Sequence, residues 1–365
     1  MGAFMIQKKT NGLSPLVSVI MPVFNREQYV GAAIQSILDQ SYSNFELIIV
    51  NDGSTDKSEE IINDFKKKDS RIISISQTNQ GIVSARNAGC SNARGDYIAI
   101  LDSDDISVRN RLERQILFLE SNPDVGICGS WVKTIEDDPQ IWRYPTLNDD
   151  IKASLLFFCP FAHSSIMMRR SAIPFFPSPY TESFDTAEDY DLWEKCMDIT
   201  AYSNLSEILV FYRVHDANIS IVMNTKNRDL ARKIRKRIVL RLDPNISEEE
   251  IQIHTILCEG LYGQICQLED GYAWLKKIIN LNQSKNLFST YYLLKRVNKL
   301  LISFYCSKFL KSNPQRILKQ VITLPLINTG ELSFFSIFFF RYKLFICPVN
   351  KLFKLIRIRL CRIPQ

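Results

Sequence analysis

The sequence predicts an α/β protein: a mixed, mainly parallel central sheet flanked by helices, followed by a helical, basic C-terminal region. Three observations predict it. Short apolar runs alternate with segments of helical period through the first hundred residues. Polar clusters follow the apolar runs, at Pro22–Arg26, Asp52–Asp56 and Asp102–Asp105. Beyond Ser220 the alternation stops and the chain turns helical and basic. Strands that alternate with helices favour a parallel sheet covered on both faces. Such sheets bind ligands at the carboxyl ends of their strands, where the three clusters fall.

The elements follow in order. Val17–Met21 reads as a buried strand stopped by Pro22, and Tyr29, Val30, Ala33, Ile34, Ile37 and Leu38 mark a helix. Leu47–Val50 is the second strand, ending in a loop of turn formers and cap residues, Asn51–Asp56. Ile61, Ile62 and Phe65 line the next helix, Ile72–Ile75 is a third strand, and Gly81–Ala93 is a helix weakened by Gly89. Tyr97–Leu101 is the fourth strand; Leu112, Ile116 and Leu119 mark the helix after it. Val125–Val132 reads as a strand, residues 133–150 as loop, His163–Met168 as a strand, Glu188–Ile199 as a helix and Ile208–Arg213 as a last strand. Pro174–Pro179 holds three prolines and forms no regular helix.

Composition narrows the classes of function. The 365 residues, 46% hydrophobic, allow one large domain and a smaller one. Nine cysteines, none in a Cys-x-x-Cys pair, read as buried free thiols of a reducing compartment and leave no zinc site. The start lacks the apolar core of a secretory signal, and no apolar run reaches membrane-spanning length. A net charge of +6 is unevenly spread, with acids dominating the main domain, which argues against nucleic acid. At the end, an aromatic run at Ser333–Phe340 precedes Arg341, Lys343, Lys351, Lys354, Arg357, Arg359 and Arg362. That mixture suits either an amphipathic element on an anionic membrane surface or a docked helix with solvated bases.

The densest chemistry is Asp102-Ser103-Asp104-Asp105, where an apolar strand ends in three carboxylates. Like charges so close are costly unless a cation sits among them. Asp-x-Asp suits a hard divalent ion, Mg²⁺ or Mn²⁺, completed by phosphate oxygens, and hence a nucleotide diphosphate. Asp104 is the preferred ligand; Asp102 contacts the sugar or ribose, or binds through water. Asp52, ahead of Gly53, either accepts the imide N–H of a uracil or simply caps a loop. Arg86 either pairs with a phosphate or reaches the base, or is an ordinary surface arginine. Glu188-Asp189 opens a helix, where acids favour the N-terminus in any case; functionally, Asp189 is a general base, Glu188 orients it or the acceptor, and Trp193 packs beneath. His163 and His215 sit at strand edges, the first on the acceptor side, the second a third metal ligand or phosphate donor. His254 is structural.

Together these residues resemble the family 2 glycosyltransferases of the GT-A (Rossmann-like) fold. The matching segments are Val17–Asn25, Val50–Asp56, Leu101–Asp105, Glu188–Trp193 and Tyr212–His215, in family order across roughly residues 15–220. The layout after Asp105, including His163–Arg170, looks like bacterial enzymes of lipopolysaccharide or capsule synthesis. The resemblance implies an inverting transferase using a nucleotide sugar, commonly UDP-linked. It puts base recognition on Asp52, the diphosphate–metal pair on Asp102 and Asp104, and the catalytic base on Asp189. Pro22, Phe24, Asn25 and Arg86 join the nucleotide-sugar site. The expected organisation is a tail at 1–15, a GT-A domain at 16–220 and a helical region at 221–365 that either associates with a membrane or packs on the catalytic domain. The expected acceptor is a glycan or lipid-linked oligosaccharide, and the expected place the cytoplasmic face of the inner membrane. Two other classes stand beside this one. A non-catalytic nucleotide-sugar or glycan-binding module would have lost Asp104 or Asp189; a nucleotidyltransferase would carry a Gly-rich, Lys-bearing loop where Pro22–Asn25 stands.

Overall fold

A computed structural model describes residues 14–136, 138–215, 224–264 and 268–309. The basic, aromatic stretch at 333–362 and the first residues of the N-terminal tail lie outside the described residues. The rest groups into two compact units interleaved along the chain. The first takes residues up to Ile141 with Ala162–Asp185 and Glu207–Val214; the second takes Trp142–Phe161, Thr186–Ser206 and the chain from His215. Two segments inside the expected 16–220 domain thus group with the C-terminal helices.

The first unit carries the parallel sheet. Strands β1 (Val17–Val23), β2 (Phe45–Asp52), β3 (Ile72–Gln77) and β4 (Tyr97–Ile100) run parallel in the order β3-β2-β1-β4. Register pairs Val19 with Leu47 and Ala99, and Ile49 with Ser74. β1 and β2 are buried along their whole length, as expected of strands covered on both faces. The strand does not stop at Pro22. β4 pairs with β1 only as far as Ile20, so the missing N–H of Pro22 falls where the ladder is one-sided. Helices α1 (Val30–Leu38), α2 (Ser58–Lys68) and α3 (Ile82–Asn92) connect these strands. α1 turns Val30, Ala33, Ile34 and Ile37 to the core. Gly89 earns its place in α3, because a Cβ there would lie 2.5 Å from Ile20 Cγ2 on β1.

Beyond β4 the sheet becomes antiparallel. A short β5 (Ile106–Ser107) precedes α4 (Arg111–Ser121), then come β6 (Val125–Ile135), β7 (Ile141–Trp142), β8 (Met167–Arg169) and β9 (Ala201–Arg213). The order continues β4-β8-β6-β9-β5, with β8 antiparallel to β4 and β6, and β5 antiparallel to β9. Two sequence expectations shift. His163–Ser165 is a 3₁₀ turn ahead of β8 rather than strand, and the stretch read as loop at 133–150 holds the end of β6, β7 and the start of a helix, Asn148–Leu155.

The second unit is mainly helical: α5 (Asn148–Leu155), α6 (Glu188–Lys195), α7 (Asn224–Leu242), α8 (Glu248–Cys258), α9 (Leu268–Lys285) and α10 (Thr290–Phe309). Ser247 and Glu250 form a reciprocal cap on α8. Carboxylates between helices are held by paired cations. Asp150 meets Arg296 at 2.6 Å and Lys295 at 3.0 Å; Asp191 meets Lys195 and Arg237; Glu259 meets Arg232 and Arg235. The basic α7 therefore spends much of its charge inside its own unit. His254 is structural, as expected: Trp274 Nε1 donates to its Nδ1 at 3.2 Å, its Nε2 lies 2.9 Å from the Leu156 carbonyl oxygen, and burial pushes it down to about 3. Among the described residues no helix is long and apolar enough to cross a membrane. The described cysteines 90, 128, 159, 196 and 258 are free thiols.

Candidate functional site

The carboxyl ends of β1 and β2 are stitched together. Asn25 adopts a left-handed backbone (φ 51°), a conformation asparagine tolerates better than most residues. Its N–H donates to Ser54 Oγ at 3.0 Å, and its Oδ1 accepts from Thr55 N–H at 2.8 Å. Asp56 accepts from the N–H groups of Glu27 and Ser58. The turn-forming residues read at Asn51–Asp56 are thus spent on loop structure. Phe24 is exposed just past the end of β1, and Pro22 is buried.

Asp52 is buried at the end of β2. Its Oδ1 accepts from Gln77 Nε2 at 2.7 Å and Gln80 N–H at 2.9 Å; its Oδ2 accepts from Gly81 N–H at 2.9 Å. A carboxylate has about four acceptor positions, so three are committed to the loop before α3. Gly53 (φ 72°) permits this approach, since a Cβ would lie 2.7 Å from Asn79 N. Asp52 thus fixes the loop before α3.

The acidic turn follows β4. Arg86 of α3, itself buried, donates through Nη2 to Asp102 Oδ1 at 2.7 Å. Burial opposes charge on Asp102, but Arg86, with His163 and Ser164, holds the carboxyl below the usual carboxylate range. Arg86 is therefore neither a surface arginine nor aimed only at phosphate. Arg26, at the end of β1, stands 3.4 Å from Asp104 Oδ2. Asp105 has no exposed surface and accepts from Arg213 N–H at 2.8 Å, while Arg213 Nε donates to the Asp104 carbonyl at 2.9 Å. Burial, then Asp104 and Asp102, push the Asp105 carboxyl well above the usual range. Beneath the turn Arg111 donates to the carbonyls of Ile100 and Ile166, and burial pushes it down to about 9.

His163 lies in this same unit. Its Nε2 is 2.9 Å from Tyr180 Oη, and Tyr180 is tied at both backbone groups to the Asn87 side chain. Burial, aided by Arg86, holds the imidazole well below its ordinary pKa. Ser164 accepts the Asp102 N–H at 3.1 Å.

In the second unit, α6 opens with Glu188, buried, and Asp189, half-buried. Asp189 Oδ1 accepts from Tyr190 N–H at 2.7 Å, and Cys159 Sγ donates to Oδ2 at 3.6 Å. Burial and the adjacent Asp189 push the Cys159 thiol well up. Trp193 has no exposed surface and packs edge-on against Phe161 at 5.4 Å. Trp193, expected on the acceptor side and packed beneath the helix, is buried in the interior of this unit.

Among the described residues no group of three or more His, Cys, Asp or Glu is arranged to hold a metal ion. His215, expected as a third ligand, is half-buried just past β9. In the first unit the residues that could hold an ion are Asp104 and Asp102, both oxygen donors. That set fits Mg²⁺ or Mn²⁺ in the mode where one or two carboxylates suffice and substrate phosphates complete the shell. Sequence reasoning missed Gln77, Tyr180, Cys159 and Arg111, which no local pattern distinguishes. Arg26 and Arg213 stood inside quoted motifs, yet nothing in the sequence paired them with the acidic turn.

The profile of Glycosyl transferase family 2 matches residues 18–174. An uncharacterized glycosyltransferase of Haemophilus influenzae is 33% identical over 234 residues, covering 61% of this chain and 72% of the relative. A second from that organism is 37% identical over 207 residues, 56% and 82% of the two chains. One from Methanocaldococcus jannaschii is 36% identical over 208 residues, 55% and 71%. The chain belongs to glycosyl transferase family 2 and is a glycosyltransferase. Among solved structures, Staphylococcus aureus TarS 1–349 in complex with UDP-GlcNAc aligns with TM-score 0.54 and 18% identity over 81% of this chain and 91% of that one. The mannosyltransferase PcManGT from Pyrobaculum calidifontis, in complex with GDP-Man and Mn²⁺, aligns with TM-score 0.52 and 13% identity over 83% and 89%. These likenesses establish the GT-A fold.

Proposed function

We propose that this chain is an inverting transferase that moves a sugar from a UDP-linked donor to a hydroxyl of a glycan or lipid-linked oligosaccharide in bacterial surface polysaccharide synthesis. The observation that carries the reading is the acidic turn after β4, which sets Asp102 and Asp104 at the carboxyl end of the parallel strands. The UDP, UDP-GlcNAc and GDP-Man bound in structures of the same fold support a nucleotide-sugar donor, and the Mn²⁺ in one of them supports a divalent ion.

In this reading Phe24, Asn25 and Asp52 receive the nucleotide at the ends of β1 and β2. Asp104, with Asp102, would hold the ion, which when bound supplies charge neutralisation for a diphosphate leaving group. Asp102, fixed by Arg86, faces the ribose or sugar, and His163 with Tyr180 stands on the acceptor side. Asp189 removes the proton from the acceptor hydroxyl as its oxygen bonds to the anomeric carbon and the bond to the nucleoside diphosphate breaks. A single displacement inverts the anomeric centre and leaves no covalent glycosyl-enzyme. Glu188 orients Asp189 or the acceptor. The basic, apolar stretch at 333–362 supports peripheral contact with anionic lipid on the inner face of the cytoplasmic membrane; deleting the chain after Ser333 should release the protein from the membrane fraction.

The test is a screen of nucleotide sugars for ion-dependent release of nucleoside diphosphate, with mass detection of the glycosylated acceptor. Asp189→Asn is expected to lower turnover by about 10²–10⁴-fold while nucleotide binding persists. Equal loss of binding and turnover would remove Asp189 as the base, and absence of turnover with every donor would favour a binding module.

A further inference from the structure

The two carboxylates of Asp102-Ser103-Asp104 are neutralised by arginines of different kinds. Arg86 is 5% exposed in its side chain and belongs to the interior of α3; its hydrogen bond to Asp102 is short. Arg26 approaches Asp104 at 3.4 Å, with the two side chains 19% and 11% exposed. The Arg26 guanidinium is also anchored: Nη1 donates to the carbonyls of Asn25 at 3.1 Å and Phe24 at 3.4 Å. Its own N–H donates to Ser58 Oγ at 2.8 Å. The loop that holds it is therefore the loop at the end of β1.

The geometry points to Arg26 as an exchangeable counter-ion, a positioning residue that occupies Asp104 until nucleotide and ion arrive together. This rests on the reading of Asp104 as the ion's ligand. A guanidinium and a divalent ion on the same carboxylate repel each other, so the ion competes with Arg26 for Asp104 and weakens its hold. Its anchors at Phe24 and Asn25 keep it beside the site, and a diphosphate is the group a freed guanidinium there would take, by paired hydrogen bonds. Asp102 keeps its partner throughout, because Arg86 is too deeply buried to leave. Ion binding and nucleotide binding then favour one another, and each is weak alone.

The experiment titrates the full chain with Mn²⁺, measuring free Mn²⁺ by electron paramagnetic resonance, without nucleotide and with saturating UDP or GDP. The wild type is expected to bind Mn²⁺ weakly alone and about tenfold more tightly with the cognate nucleotide, within the usual range of coupling. Arg26→Gln should bind Mn²⁺ alone more tightly than wild type and lose most of the nucleotide enhancement; Arg26→Lys should restore the weak binding. Unchanged or weaker Mn²⁺ binding in Arg26→Gln, with circular dichroism matching wild type, would overturn the counter-ion role. Asp104→Asn separates the two ideas: if it leaves Mn²⁺ binding intact, the ligand assignment itself falls.

Discussion

In the second unit Asp150, Asp191 and Glu259 each meet two cations, for Asp191 one on its own helix and one on α7. In the first, Asp102, Asp104 and Asp105 follow one another round a single turn, with Arg86 on the first, Arg26 on the second and a backbone N–H on the third. The former arrangement locks helices; the latter gathers like charge where the sheet offers its strand ends. Burial alone does not tell them apart, since Asp105 and Asp191 are both fully buried. The distinction is crowding. The clamps are single acids set apart from one another, whereas three carboxylates packed round one turn mark a place where a further positive charge is welcome.

The largest expected effect tests the clamps. Asp150→Ala leaves Arg296 buried without its anion, and breaking one side of a buried pair costs about 3–5 kcal/mol. Thermal or denaturant unfolding should show the loss; a change under 1 kcal/mol would place Asp150 with the exchangeable acids. Next, Asp104→Asn should lower transfer by roughly 10²–10³-fold, the scale of losing one electrostatic stabiliser, with the unfolding midpoint nearly unmoved. A comparable loss of stability would make Asp104 a clamp after all.

Glu46 is a third kind, a structural acid inside the first unit. It accepts from Ser18 Oγ at 2.6 Å and from Arg94 through backbone and guanidinium. Burial opposes its charge, but these donors hold its carboxyl below the usual range. A carboxyl lowered on folding stabilises above its ordinary value, about 4.3, and that contribution is lost as pH falls through the folded value. Arg94 is mostly exposed, so solvent screening leaves mainly the buried Ser18 contact. Glu46→Gln should cost about 1.5 kcal/mol at neutral pH, and the gap to wild type should narrow below about pH 4. A gap constant with pH would mean that packing, not charge, is what Glu46 supplies.

The alternating strands and helices up to β4 were legible because apolar runs and helical period are local. Each of the clusters at Asn25, Asp52 and Asp104 was legible for the same reason, since strand ends precede loops. The antiparallel half was harder: β9 begins seven residues earlier than Ile208 because Ala201–Glu207 alternates too weakly to read. Helix α5 hid inside a polar stretch because its buried face depends on partners from distant helices, among them the cations that hold Asp150. The pairings that define the site, Arg86 with Asp102 and Arg26 with Asp104, span 16 and 78 residues of chain, and no periodicity encodes them.

The smallest effect has the opposite sign. Asp105 sits without exposed surface beside Asp102 and Asp104, an arrangement that costs folding energy. Asp105→Asn keeps an oxygen to accept the Arg213 N–H and removes one of three adjacent acids. It should raise stability by about 1 kcal/mol, a shift in unfolding midpoint of about 2–4 °C for a domain of this size. Residues retained at a cost in stability are those whose chemistry the site requires, so the same variant should lose transfer activity. Were Asp105→Asn to lower the midpoint instead, the turn would be a clamp like those of the second unit, and crowding of carboxylates would cease to distinguish the site from the scaffold.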